Sequence, residues 1–274
     1  MLASFHNHTV WSDGKTGVRD IYDFAAQSNV DLIGISDHFC VHPDGKSRNW
    51  SVDPSQVGEY IANVRSAQKA NGPSVIVGLE IDWFADYERI LPDLIEPLDL
   101  DYRIGSLHHV DEQPFDYCFS PTLDKEELLE TWRKYWRLER GLAESGLFDM
   151  VAHLDIPKRL GWFPEEELSS EIDQAIDAFK AHGVVVELNT AGYSLPCNEA
   201  YASPEILRKC KEREVAITLS ADAHQPDRIL YEFERGLKLL HSVGFTEVAR
   251  FREREVYFEP LSEALPSTPN PTKA

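Results

Sequence analysis

No apolar run in this chain approaches the roughly 20 residues a helix needs to cross a bilayer. The N-terminus enters its first strand almost at once, without the pattern of a signal peptide. A soluble protein with no membrane partner is expected. Cysteine is scarce: Cys40, Cys118, Cys197 and Cys210 stand far apart and form no C-x-x-C pair. Their even number permits disulfides, but a chain of 274 residues builds a core without them, which points to a reducing, cytoplasmic setting. Basic residues are also short, 27 Lys and Arg against 47 Asp and Glu, for a net charge of −20. Such a field repels phosphate backbones, so nucleic acid and anionic membrane surfaces are excluded as partners. It does not exclude a small phosphorylated substrate, because bound divalent cations reverse the local sign. Most of the surface glutamates serve solubility. Repeats, linkers and low-complexity inserts are absent, so residues 1–259 read as one domain. The four prolines from Pro260 onward mark 260–274 as a flexible tail.

What is present is an alternation of strands and helices from end to end. Leu2–His6 reads as the first strand and Val18–Asn29 as a helix with Ile21, Phe24 and Ala25 on its apolar face. Val30–Ser36 is a nearly all-apolar buried strand. Asp53 followed by Pro54 is an N-terminal signature for a helix to about Ala70. Further strands read at Ser74–Leu79, within Leu98–Leu107, and at Asp149–Ala152, Val184–Leu188 and Val215–Leu219, with an extra strand at Glu247–Phe251. Helices read at Asp124–Glu144, Pro164–His182, Ser203–Glu212 and Arg228–Val243. The stripe of Leu128, Leu129, Trp132, Tyr135, Trp136 and Leu142 along the longest helix is core packing rather than a stacking platform. Seven β-α units in one length of chain favour a closed parallel barrel over an open sheet.

Barrel enzymes place their chemistry at the C-terminal strand ends. Here those ends read His6 and His8, His38, Glu80, His108, His153, Asn189, and Asp222 with His224. Chance histidines would scatter among helices and loops, and only His42, His182 and His241 do so. In Phe5-His6-Asn7-His8, positions i and i+2 share a face, so two imidazoles can meet one ion. Asp13 follows after a turn closed by Gly14. His6, His8, Asp13, His38, Glu80, His108, His153, Asp222 and His224 make nine candidate ligands. One hydrolytic zinc takes about three protein ligands, so nine imply two or three divalent ions with bridging carboxylates. His109 should face away from His108 and is structural, and Asp37 orients a ligand rather than binding metal.

These blocks resemble the polymerase and histidinol phosphatase (PHP) family, and within it the monofunctional histidinol-phosphatases. The resemblance is carried by His6-Asn7-His8 with Asp13, Ser36-Asp37-His38, Gly78-Leu79-Glu80, Gly105-Ser106-Leu107-His108, His153-Leu154-Asp155 and Ser220-Ala221-Asp222-Ala223-His224, in order from residue 3 to about 230. It implies a distorted (β/α)7 TIM-like barrel of α/β class and a trinuclear site of zinc, iron or manganese. By position, one ion would take His6, His8, Glu80 and Asp222, a second Glu80, His108 and His153, and a third Asp13, His38 and His224. The implied reaction is hydrolysis of a phosphate monoester, most simply L-histidinol phosphate, by a metal-bridging hydroxide. Glu80, Asp222 and His224 are expected to act directly in it.

Cations for the substrate phosphate are offered by Lys158 and Arg159 past strand five and by Arg48 after strand two. Relatives usually carry an arginine soon after the Asn-Thr-x-Gly of strand six. Here Asn189-Thr190-Ala191-Gly192-Tyr193-Ser194-Leu195 has none, and the next is Arg208. Tyr193 or Ser194 cannot replace a bidentate anion contact. A different small phosphoester therefore stands as a second substrate reading. An amidohydrolase-type hydrolase would bridge its metals through a strand-four lysine where this chain has His108. A non-catalytic regulatory module would have lost ligands, and none is lost. The leaving-group acid could be Asp155, Asp37 or a water.

Overall fold

Runs of Val, Ile and Leu form seven parallel strands: β1 (Ala3–Ser4), β2 (Leu32–Ile35), β3 (Ser74–Asp82), β4 (Tyr102–Ser106), β5 (Met150–Val151), β6 (Val185–Asn189) and β7 (Ile217–Ser220). The computed structural model describes residues 2–46, 48–87, 89–120, 122–165 and 167–262. Neighbours follow chain order from β1 to β7. The second strand breaks at Ser36-Asp37 and resumes at His38–Phe39, where His38 registers with Glu80. The ring closes at its C-terminal mouth, where Asn7 bridges Ala223: the His8 N–H reaches the Ala223 carbonyl at 2.8 Å and the Ala223 N–H the His6 carbonyl at 3.1 Å. This is the distorted (β/α)7 barrel the sequence implies.

At the other end β1 and β7 are spanned by an antiparallel hairpin, β8 (Glu247–Arg252) and β9 (Glu255–Pro260). Thr218 Oγ1 donates to the Ala249 carbonyl at 3.2 Å. Phe251 meets Phe5 edge-on at 5.2 Å and stacks on Tyr102 at 5.7 Å. With Leu32, Ile76, Ile104, Met150 and Val185 these rings form a buried apolar cluster that plugs the base of the barrel. Tyr102 enters this space only because Gly34 lacks a side chain, since a Cβ there would stand 2.3 Å from the phenolic oxygen. β9, which the sequence reading did not foresee, carries order through Pro260. Of the expected tail, residues 263–274 lie outside the described residues.

The period of two along the strands then determines the mouth. In β3, Ile76 lines the plug while Val77 and Leu79 pack outward, so Glu80 and Asp82 arrive on the inner face. In β6, Val185 faces inward, and so does Glu187.

The outward residues pack on α1 (Val18–Gln27), α2 (Val57–Ser66), α3 (Leu91–Ile95), α4 (Phe115–Cys118), α5 (Lys125–Glu144), α6 (Ser169–His182), α7 (Pro204–Glu212) and α8 (Phe233–Val243). Asp124 caps α5 by accepting from the N–H groups of Glu126 and Glu127, each at 2.9 Å. Trp132, Tyr135 and Trp136 are buried along it, as core packing requires. The Asp53-Pro54 signature misplaces the start of α2. Asp53 accepts from the Ser55 N–H at 2.8 Å and hydroxyl at 2.6 Å, which holds 53–56 as a turn, and the helix begins at Val57.

Candidate metal centre

Glu80, fully buried at the inner end of β3, is the hub of the mouth. Its Oε1 stands 2.9 Å from His153 Nε2 and 3.6 Å from His108 Nε2. Its Oε2 stands 3.2 Å from His6 Nε2, 3.5 Å from His8 Nε2 and 2.6 Å from His38 Nδ1. Asp222 reaches in from the end of β7, where a left-handed backbone (φ 51°) turns its carboxylate toward His8 Nε2 at 3.1 Å and His6 Nε2 at 3.7 Å. Asp13 comes from the loop after β1, 3.2 Å from His224 Nε2, 3.6 Å from His38 Nε2 and 3.9 Å from His8 Nδ1. That loop folds over the backbone of His8 so closely that a Cβ at Gly14 would stand 2.4 Å from the His8 carbonyl oxygen, so the Asp13-Gly14 turn needs its glycine.

All nine sequence-predicted donors therefore meet. Their donor atoms fall into groups within 4.8 Å: His6, His8 and Asp222; His8, Asp13, His38 and His224; and, around Glu80, His6 with His153 and His38 with His108. The first two resemble the first and third ions of the expected partition. The two groups sharing Glu80 divide the second, with His108 and His153 both on Oε1. His6 Nε2, both nitrogens of His8, His38 Nδ1, Glu80 Oε2 and Asp222 Oδ1 are buried and make no hydrogen bond. Each such atom costs about 1–3 kcal/mol if left so. Six of them converging with mixed nitrogen and oxygen chemistry fit divalent cations.

An outer ring of carboxylates holds the imidazoles. Glu187 Oε1 accepts from His6 Nδ1 at 2.8 Å, and its Oε2 accepts the His153 backbone N–H at 2.8 Å. Asp82 takes His108 Nδ1 at 2.6 Å and stands 3.4 Å from His109 Nδ1. Neither acid was singled out from the sequence. For Glu187 the signal was there: a single charge inside the apolar strand Val184–Leu188. Asp37 behaves as expected of an orienting acid. It accepts from the Thr9 N–H at 2.7 Å, the Thr9 hydroxyl at 2.8 Å and the Ser12 hydroxyl at 2.6 Å, pinning the loop that carries Asp13. His109 belongs to none of the donor groups, yet it lines the cavity beside them.

The electrostatics are those of a cation site. Burial and the neighbouring His38 push the His8 imidazole down to about 3, so it is neutral as a ligand must be. Burial opposes protonation of His108 and His224, but Asp82 raises the first to about 9 and Asp13 with Asp222 the second to about 9. Burial likewise opposes ionisation of Glu80, yet His38, His6 and His153 hold its carboxyl well below the usual range. The acids of the mouth thus draw positive charge onto whatever they face.

Above the donors opens a cavity of about 300 Å³, walled by Trp50, Pro114, Phe115 and Ile156 and carrying Asp116 and Arg159. Of the three cations expected to meet a phosphate, Arg159 alone lines it. Lys158 is a correction: it is buried, and its ammonium donates to Asp155 at 3.1 Å, Glu199 at 2.8 Å and the Ala200 carbonyl at 2.7 Å, which leaves no hydrogen for substrate. Arg48 pairs with Asp44 at 3.1 Å and does not line the cavity. Neither Asp155 nor Asp37 lines it either, and both carboxylates are engaged elsewhere.

Comparison with known proteins agrees with this geometry. The PHP domain model matches residues 4–191. The chain is similar to a probable histidinol-phosphatase of Deinococcus radiodurans, 31% identical over 259 residues, covering 93% of this chain and 98% of that one. It is also similar to a probable histidinol-phosphatase of Schizosaccharomyces pombe, 25% identical over 69% of this chain and 67% of that one. In fold it is similar to the histidinol phosphate phosphatase of Lactococcus lactis, solved with zinc, L-histidinol and phosphate, at a TM-score of 0.79 and 19% identity over 93% of this chain and 98% of that one.

Proposed function

The chain belongs to the PHP domain family, and from that premise we propose that it is a metal-dependent phosphatase that hydrolyses L-histidinol phosphate to L-histidinol and phosphate. The observation that carries this reading is the convergence of nine histidine and carboxylate donors on one barrel mouth, six of their atoms buried without a hydrogen bond. Two to three divalent ions, zinc, iron or manganese, would be held by His6, His8 and Asp222, by Asp13, His38 and His224, and by Glu80 with His108 and His153. When bound, such ions activate water at neutral pH and offset the charge of the phosphoryl oxygens.

The protein's own groups do the rest. Glu80 offers its two oxygens to different histidines, Oε1 to His108 and His153 and Oε2 to His6, His8 and His38, and would be shared between neighbouring ions. Glu187 and Asp82 keep a proton on the outer nitrogen of His6 and His108, so the inner nitrogen presents its lone pair. Arg159 takes the phosphate oxygens that face away from the donors. The apolar wall of Trp50, Phe115 and Ile156 covers the carbon part of the substrate and keeps bulk water from it. Net change is one P–O ester bond broken and one water added across it. Among the described residues no helix is long and apolar enough to cross a membrane, and the four cysteines are free. Both features support work in the reducing cytoplasm on a small phosphorylated substrate.

The absence of an arginine after Asn189-Thr190-Ala191-Gly192, together with the sequestered Lys158, supports a second reading in which another small phosphate monoester is preferred. Steady-state rates on a panel of monoesters separate the two. The highest kcat/KM on L-histidinol phosphate is expected, and negligible turnover of it beside brisk turnover of another ester would replace it with the second.

A further inference from the structure

We propose that Asp116 reads an ammonium group on the substrate, so that the cavity selects amino-substituted phosphate monoesters. This rests on the phosphatase reading above and specifies what that site recognises besides phosphate. Three carboxylates line the cavity: Asp13, Asp116 and Asp222. Asp13 and Asp222 belong to the donor groups, and Asp116 belongs to none. Among the described residues Asp116 makes no hydrogen bond and no ion pair.

Its place is set by the metal centre. Asp116 sits in α4 next to Phe115, whose backbone N–H donates to the His108 carbonyl at 3.1 Å and whose ring lies 6.5 Å from the His108 ring. Phe115 is buried against Phe119 and Tyr135. The short helix is thus tied to the strand end that delivers His108, which places the exposed carboxylate of Asp116 at the rim of the cavity.

A free carboxylate in the mouth of a phosphatase works against its substrate. The carboxylate and a phosphate ester carry charge of one sign and repel. A dianionic ester with no other charge would meet that repulsion on entry. An ester that also carries an ammonium turns it into attraction, with Arg159 in the same cavity taking the anionic end. Trp50, Pro114 and Ile156 supply an apolar wall for the carbon skeleton between the two charges. The chemistry selected is therefore a small phosphate monoester with a primary amine a few bonds from the ester oxygen and a flat or apolar body.

The test compares L-histidinol phosphate with 3-(imidazol-4-yl)propyl phosphate, which lacks only the amine, on the wild type and on Asp116→Asn. The wild type is expected to favour the amino ester in kcat/KM, and Asp116→Asn to reduce that preference about threefold, in line with loss of one solvent-exposed charge pair. Calorimetry provides a readout apart from turnover: L-histidinol should bind Asp116→Asn more weakly than the wild type, by a larger factor than 3-(imidazol-4-yl)propan-1-ol. An unchanged preference in the variant, or a wild type that favours the deaminated ester, overturns the proposal and leaves the phosphatase reading standing. A wild type that hydrolyses neither ester overturns both.

Discussion

Glu187 Oε1 lies 2.8 Å from Nδ1 of His6, and both groups are fully buried. The other Glu187 oxygen holds the His153 backbone. One acid from β6 therefore orients the His6 ring just past β1 and anchors the backbone that delivers His153 at the end of β5. On the ligand assignment proposed here, Glu187→Gln should keep the fold and lower metal affinity by about 10–100-fold, the usual cost of losing an outer carboxylate. Competition with a chelator of known affinity measures it, and an unchanged affinity would show that Glu187 serves packing alone.

Glu80 touches five imidazoles, three through Oε2 and two through Oε1. Glu80→Gln should therefore lose at least one ion per chain and lower kcat by more than about 100-fold, beyond the loss typical of an outer carboxylate. Metal content and turnover that both survive would refute the bridging role of Glu80.

Lys158 and Arg159 are neighbours in sequence with opposite expected phenotypes. Lys158→Met strips the buried Asp155 of its cation and should destabilise the fold by about 3 kcal/mol, the range for breaking a buried pair. Arg159→Ala should leave the melting temperature near that of the wild type and raise KM for the phosphate ester. Thermal melts and kinetics on the two variants check the division, and exchanged phenotypes would contradict it.

Glu139 lies buried on α5, and burial raises its carboxyl from the ordinary 4.5 to about 8 despite the nearby Tyr135 hydroxyl. Below about pH 4.5 both the folded and the unfolded chain hold this proton and its contribution to stability is fully present; above that the unfolded chain loses it first. That contribution is lost as pH rises through about 8. Glu139→Gln removes the dependence, so its melting temperature relative to the wild type should climb between pH 5 and pH 9. A constant difference across that range would show that Glu139 does not titrate there.

Much of this was legible in the chain because the donors are local to strand ends and strand ends announce themselves. Glu80 could be placed from its apolar run and the period of two alone, while His38 follows the break at Ser36-Asp37 and Asp222 a left-handed turn beyond β7. His6 and His153 were harder. Phe5 and Ala152, their neighbours, belong to the inner plug, so an unbroken strand would turn both histidines outward. They point inward because β1 ends at Ser4 and β5 at Val151. The second strand of the hairpin that closes the base also escaped, since β9 is half-exposed and lacks an apolar run. Lys158 was misread for a different reason. A cation declares no partner in sequence, and its partner Glu199 stands 41 residues away.

The most direct test is to strip the protein of metal, titrate one divalent ion back, and follow hydrolysis of L-histidinol phosphate against ions bound per chain. Activity should be absent in the stripped protein and rise to a plateau at two to three equivalents. Full turnover by the stripped protein, or saturation of binding without any turnover under zinc, iron or manganese, would contradict the account at its centre.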